Sequence, residues 1–325
     1  MKIILSYDYE IFFNKNKSDC INTLVKPTSE LLNIMNSYNV KSAFFIDAGY
    51  LFTLEKNKHI YNIKKDHEAI IQQIKEIESW GHEIGFHIHS HWEDTKWEKD
   101  KWLFDLSRYK LADFNKIEAQ EIFMKYYSYL NSITTTEIRS YRAGGWCIEP
   151  FDHIRETMLK CGLLIDSTVF AGGKRISDTH SYDFSNYPAK DIWHFNEDPS
   201  IEIENGRFKE MSISSMQMDS YSYCKLMGMK ILKKLSTKST GKGIPPPLSE
   251  ITTNIFKQSS LPISMDTVKS DFLMKEFKRK ESNGDPYMGV ISHPKSMDKE
   301  SMKTLRKFIL YALENGHKFS VLSEN

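Results

Sequence analysis

The residues of this sequence with the most chemical potential lie in one short stretch, Gly81-His82-Glu83-Ile84-Gly85-Phe86-His87-Ile88-His89-Ser90-His91. Imidazoles this dense suggest a metal site, and backbone geometry decides which can share an ion. If the chain stays extended, His87 and His91 stand roughly 13 Å apart, too far for one metal. If it turns helically after Phe86, residues four apart stack at about 6 Å and both reach the same ion. Gly85 eases such a change of course. The alternative is three histidines on a surface loop. A second group is Asp8-Tyr9-Glu10, where two carboxylates could divide the work of metal ligand and general base, unless they merely begin a solvated loop. Arg142, followed by Ala143-Gly144-Gly145-Trp146, could hold a carboxylate in place. His293 closes the run Gly289-Val290-Ile291-Ser292.

Each of these groups follows a short apolar run, so the elements that position them can be read from the alternation. Strands are predicted over Lys2–Tyr7, Val40–Ile46, His82–Phe86, Glu137–Tyr141, Leu163–Asp166, Phe208–Ser214, Met288–Ser292 and Lys318–Leu322. Helices are predicted from Lys26-Pro27, over Glu68–Trp80, Lys116–Leu130, Phe151–Lys160 and Asp298–Asn315. Repeated βα units give a parallel sheet covered on both faces, and about seven of them suggest a distorted (β/α)7-type barrel. In such a barrel the strand ends form one active face, which is where the acids, the arginine and His293 fall. The rhythm breaks between about residues 170 and 287, read as an insertion within a single domain spanning 1–325.

Composition agrees with that architecture. The 325 residues are 40% hydrophobic, with 44 Lys+Arg against 43 Asp+Glu. This excludes a disordered chain and a protein that binds nucleic acid by bulk charge. Asp8 and Glu10 cut off the first apolar run before it could serve as an export signal, so a cytoplasmic protein is expected. Cys20, Cys147, Cys161 and Cys224 show no CxxC spacing and read as free thiols.

Taken together, these motifs resemble the polysaccharide deacetylases of the NodB-homology type, carbohydrate esterase family 4. Ser6-Tyr7-Asp8-Tyr9-Glu10 stands where that family has a TFDDG-like acid pair, and Gly81 to His91 resembles its GHEIGNH strand with the HxxxH metal motif. Arg142 to Trp146 resembles RxPYG without its proline and tyrosine, Cys161 to Thr168 the D-S-S segment, and Val290 to His293 the last strand motif. The resemblance implies a divalent metal, expected to be Zn²⁺ with Co²⁺, Ni²⁺ or Mn²⁺ as alternatives, on Glu10, His87 and His91. It leaves His89 out of the ligand set. It further implies Asp8 as base, oriented by Arg142, His293 as acid, and Gly145 and Trp146 at the substrate and oxyanion subsite. The implied reaction removes an N-acetyl or other N-acyl group from an amino sugar in a glycan or its precursor.

Two rivals stand beside that reading. One is a deacetylase-like domain that has lost catalysis and only binds glycan or a partner. The other is a metal-dependent phosphoesterase or amidohydrolase using His87-x-His89 with Asp94. The Lys-rich segment 225–242 alternates basic and apolar residues at helical spacing and could contact an anionic membrane surface, presenting the site to a lipid-linked sugar. The bland alternative is a solvated helix covering the barrel. Trp92, Trp97, Trp102, Trp146 and Trp193 are candidates for stacking on sugar rings, although core packing explains any of them.

Overall fold

The computed structural model describes residues 1–13, 19–236 and 259–324. Its strands are β1 (Lys2–Tyr9), β2 (Ala43–Asp47), β3 (Glu83–Ile88), β4 (Lys96–Glu98), β5 (Lys101–Leu103), β6 (Ser140–Ala143), β7 (Ile165–Asp166) and β8 (Lys174–Ile176). They continue with β9 (Ser181–Asp183), β10 (Ile192–Phe195), β11 (Phe208–Met211), β12 (Ser215–Met218), β13 (Ser259–Pro262), β14 (Tyr287–Ser292) and β15 (Lys318–Phe319). The helices are α1 (Lys26–Ser37), α2 (Ala48–Asn57), α3 (Tyr61–Ser79), α4 (Lys116–Ile133), α5 (Arg155–Lys160), α6 (Ser220–Ser236), α7 (Ser270–Ser282) and α8 (Lys299–Glu314).

The main sheet runs β10-β11-β7-β6-β3-β2-β1-β14, with β15 also on β1. Every pairing in it is parallel except β10 with β11. All of β1 beyond Lys2 is buried, as expected of a parallel strand covered on both faces. The sheet curls until its far side approaches β14, where irregular backbone completes the ring. Ile213 N–H donates to Val169 O, Ser214 N–H donates to Gly289 O, and Gly289 N–H donates to Ser214 Oγ. The α/β class and curled barrel architecture expected from the alternation are present, with a stitched seam in place of one strand ladder.

Helix starts follow local chemistry. Asp47 caps α2, Asn115 and Glu118 form a reciprocal capping box on α4, and Asp298 caps α8. The outward-facing Ile3, Leu5 and Tyr7 of β1 join the large core beneath the helices. The alternate Ile4 packs inside the ring with Phe45, Met211, Tyr287 and Leu322. This apolar plug carries a polar layer above it, and that layer is the floor of the site.

Several expected boundaries shift. Strand β3 continues past Phe86 to Ile88, and α3 begins at Tyr61 rather than Glu68. Helix α2 was hidden by its mixed sequence, and the stretch after residue 170 contains short strand pairs where loops were expected. Residues 225–236 of the Lys-rich segment lie in α6, while 237–242 fall outside the described residues. No described helix is long and apolar enough to cross a membrane.

Candidate active site

The polar layer is assembled by register. Asp47 of β2 lies beside His87 of β3, and His87 beside Arg142 of β6. Residues two apart on a strand share a face, so Ser6 and Asp8 on β1, and Gly85 and His87 on β3, all point inward. A Cβ on Gly85 would sit 2.5 Å from the Phe45 ring, so only glycine lets the strand pass at that point.

Arg142 is fully buried. It stacks 4.0 Å over Phe45 and donates to Asp8 Oδ1 at 2.6 Å, Ser6 Oγ at 2.9 Å, Ser167 O at 2.7 Å and Ser167 Oγ at 3.0 Å. Its guanidinium is thereby fixed, and it fixes Asp8 in turn. The other oxygen of Asp8 lies 3.6 Å from His293 Nε2 and 4.0 Å from His87 Nε2.

Glu10, His87 and His89 each offer a ligand atom within 4.8 Å of the others. His89 Nε2 is 2.5 Å from Glu10 Oε2 and 3.1 Å from His87 Nε2. His87 Nδ1 lies 2.8 Å from Arg142 O, which can only accept. That contact places the ring proton on Nδ1 and turns the Nε2 lone pair into the cluster, the tautomer of a metal ligand. Glu10 Oε2 is buried without a hydrogen bond, whereas Oε1 accepts from Lys295 Nζ at 2.7 Å. A buried carboxylate oxygen facing two imidazole nitrogens suits a divalent cation, so the donor set fits the metal expected here. Burial alone would raise the Glu10 pKa, but the charges of Lys295 and His89 hold it well below the usual carboxylate range.

His91, the second histidine of the expected ligand pair, lies outside that cluster. It is completely buried, its ring stacks on Tyr109 with centroids 5.6 Å apart, and neither nitrogen has a hydrogen-bond partner. Burial pushes its pKa well below 6.5. His89 stands beside His87 because the backbone stays extended through His89, and the 3₁₀ turn begins only at Ser90. Two residues apart on an extended strand, His87 and His89 share a face and converge. Gly144 permits this, since a Cβ there would meet Ile88 O at 2.2 Å and His89 Nδ1 at 2.8 Å.

His293 was expected, but the residue that holds it was not. Asp266 Oδ2 lies 2.8 Å from His293 Nδ1, and Asp266 Oδ1 accepts from Ser292 Oγ and from the His293 amide. Burial would lower the His293 pKa, yet Asp266 outweighs it and the net shift is upward. Burial would likewise raise Asp266, and His293 beside it drives the net shift down. Lys295, which holds Glu10, was not singled out either, although it follows His293 by two residues. Asp266 lies in a stretch without periodicity and gave no signal.

These groups floor a cavity of about 750 Å³, and Gly145, Trp146 and Tyr109 form part of its wall. Gly145 has φ +61°, and a Cβ there would strike Tyr109 at 2.7 Å. The indole nitrogen of Trp146 is buried with no partner among the described residues. Of the candidate stacking tryptophans only Trp146 lines this cavity; Trp92, Trp102 and Trp193 are buried in the core. Asp94 is drawn away by Arg108, Nε to Oδ2 at 2.9 Å, so the rival His87/His89/Asp94 arrangement is not assembled.

Residues 11–142 match the family model described as polysaccharide deacetylase. Among solved structures, a Mycobacterium smegmatis protein described as belonging to the polysaccharide deacetylases is 15% identical. That match covers 99% of this chain and 87% of the other at a TM-score of 0.53, and it supports the fold. A CE4 family pseudoenzyme from Bacillus anthracis is 10% identical, covering 99% and 64%, at a TM-score of 0.44. The catalytic domain of a peptidoglycan N-acetylglucosamine deacetylase from Eubacterium rectale is 12% identical, covering 99% and 88%, at 0.42. No curated protein matches the chain.

Proposed function

We propose that this chain, whose residues 11–142 match the model described as polysaccharide deacetylase, is a metal-dependent hydrolase removing an N-acyl group, foremost N-acetyl, from an amino sugar. The observation that carries this reading is the pair of oriented proton-transfer groups beside the cluster. Asp8 is held by Arg142, His293 is held by Asp266, and the two approach within 3.6 Å.

Glu10, His87 and His89 are the residues that would hold the cation, Zn²⁺ foremost. Bound there, it would supply Lewis acidity, lowering the pKa of a water and polarising the acyl carbonyl. Asp8 accepts the proton of the attacking water, with Arg142 keeping its carboxylate aimed into the cavity. His293 delivers a proton to the departing nitrogen, so the C–N bond breaks to give an amine and a carboxylate. Asp266 fixes the His293 tautomer with Nδ1–H toward itself and Nε2 toward the reacting atoms. The Gly145 turn at the cavity wall is the candidate site for oxyanion stabilisation.

The test is acetate release by the purified, metal-loaded protein from a panel of N-acetylated glycans, with a chelated sample and Asp8→Asn as controls. Release that requires both metal and Asp8 supports the reading. Binding of sugar with no release from any substrate would make the chain a binding module instead.

A further inference from the structure

Two acids outside the cavity are enclosed as completely as those that floor it. Asp166 of β7 stands beside Tyr141 of β6 on one side and Glu210 of β11 on the other, and both carboxyls are fully buried. Arg142 points into the ring, so its neighbour Tyr141, and with it Asp166 and Glu210, faces the helix-covered core behind it. Asp166 Oδ1 accepts from Thr168 Oγ1 at 2.7 Å and Oδ2 from the Thr168 amide at 3.3 Å. Glu210 Oε1 accepts from the Val169 amide at 3.0 Å, while Oε2 is buried with no donor among the described residues. Ionised carboxylates only accept, so two of them side by side in the core would repel and leave that oxygen uncompensated. One proton held between them removes both costs.

We infer that Asp166 and Glu210 share one proton, carried on Glu210 Oε2 and donated to Asp166, and that the pair is a positioning device for Arg142. The segment 167–169 that the pair holds is the one that holds Arg142. Ser167 O and Oγ accept from the guanidinium at 2.7 and 3.0 Å, and Ser167 Oγ donates to the carbonyl of Met211, the residue after Glu210. Thr168 Oγ1 takes the amide hydrogen of Ala143 at 2.9 Å while giving its own to Asp166, so an ionised Asp166 sets its direction. The charge left on the pair faces Arg142, whose other acid is Asp8 inside the ring. Burial pushes both carboxyls upward, Glu210 well above its ordinary value with Asp166 adding to the rise, and Arg142 acts in the opposite direction. Tyr141, Tyr187 and Tyr287 also face the pair, and burial pushes each phenol above its ordinary range, which keeps them neutral. The inference rests on the deacetylase reading only for its kinetic consequence.

The experiment uses the metal-loaded full chain at neutral pH. An infrared difference spectrum between the parent and Glu210→Gln is expected to show the C=O band of a buried carboxylic acid in the parent alone. The Arg142 Nε–H signal in nuclear magnetic resonance, assigned by its loss in Arg142→Lys, is expected to exchange slowly with solvent in the parent. It should stay slow in Glu210→Gln, whose amide donates to Asp166 and still accepts from Val169. Glu210→Ala and the nearly isosteric Thr168→Val, which keeps the test open if the alanine variant does not fold, should speed that exchange about tenfold or more. Both should lower kcat for acetate release about 10- to 100-fold with KM and metal content unchanged. Absence of the acid band overturns the shared proton, and Arg142 exchange untouched by Thr168→Val overturns the positioning role. Acetate from no substrate, with band and exchange as expected, would refute the deacetylase reading and leave this inference standing. Release by the parent with kcat and exchange unaltered in Thr168→Val would do the reverse.

Discussion

Residues 2–143 and residues 170–287 meet at one cavity but reach it by different rules. The first stretch is a run of βα units in which the groups that matter follow strand ends, so register alone brings Asp8, His87 and Arg142 together. The second contributes β10 and β11 to the edge of the sheet, then short hairpins, α6 and α7, and from an irregular turn it sends Asp266 to His293. The first stretch supplies Asp8 and the histidine cluster, and the second orients His293, which follows β14, and shapes the wall. Chemistry is thus tied to the regular scaffold, while selectivity and fine positioning are left to backbone that can change without disturbing the ring.

Substitutions can break or sharpen that contrast. The largest effect is expected in the first stretch, where Asp8→Asn keeps the shape but removes the proton acceptor. Its kcat should fall roughly 10²- to 10⁴-fold with little change in KM. Residual activity near the parent level would move the base elsewhere. Next comes metal content by mass spectrometry. His89→Ala should lower metal affinity by at least about 100-fold, more than the loss of an outer-shell partner, while His91→Ala retains the ion, and the opposite result would make His91 the ligand. Asp266→Asn addresses the second stretch. It can still hydrogen-bond His293 but removes the charge that raises its pKa, so kcat should drop about tenfold and the alkaline limb of the pH profile should move to lower pH. An unchanged profile would reduce Asp266 to scaffolding.

The smallest effect concerns His82, which lies in the motif but outside the site. Its Nδ1 accepts from the Ser42 amide at 3.2 Å, and its Nε2 faces Asn36 Oδ1 at 3.2 Å, a pattern that suits the neutral ring. Burial, aided by Lys41, lowers its pKa from 6.5 to about 4. Because the folded value lies below the unfolded one, the unfolded chain binds the proton first. Stability is therefore lost as pH falls from 6.5 toward 4. At about pH 5.5 the loss amounts to about 1 kcal/mol relative to pH 7. Denaturant melts at the two values should show a smaller difference in His82→Asn than in the parent, and an equal difference would assign the acid sensitivity to other groups.

What could be read from the sequence follows the same division. Strand ends and their acids, Arg142 and His293 were legible because parallel strands bury both faces and leave an unmistakable apolar run before each functional residue. Which histidine stands beside His87 was not legible, because spacing cannot say whether a chain stays extended for two more residues. That was decided by Gly144, which admits the backbone against His89. Asp266 was illegible because the turn it precedes, Thr267–Lys269, is set by tertiary contacts and has no period.

The seam between Ser214 and Gly289 carries a consequence for the cavity as a whole. Ser214 gives its amide hydrogen to Gly289 O, takes the Gly289 amide on its hydroxyl, and takes the Ile263 amide on its carbonyl. One residue thus acts as the clasp of a bracelet whose links are otherwise full strands. A clasp lets circumference be adjusted at a single point, so the width of the mouth, and with it the bulk of ligand admitted, can be retuned without restringing the strands that hold Asp8, His87 and Arg142.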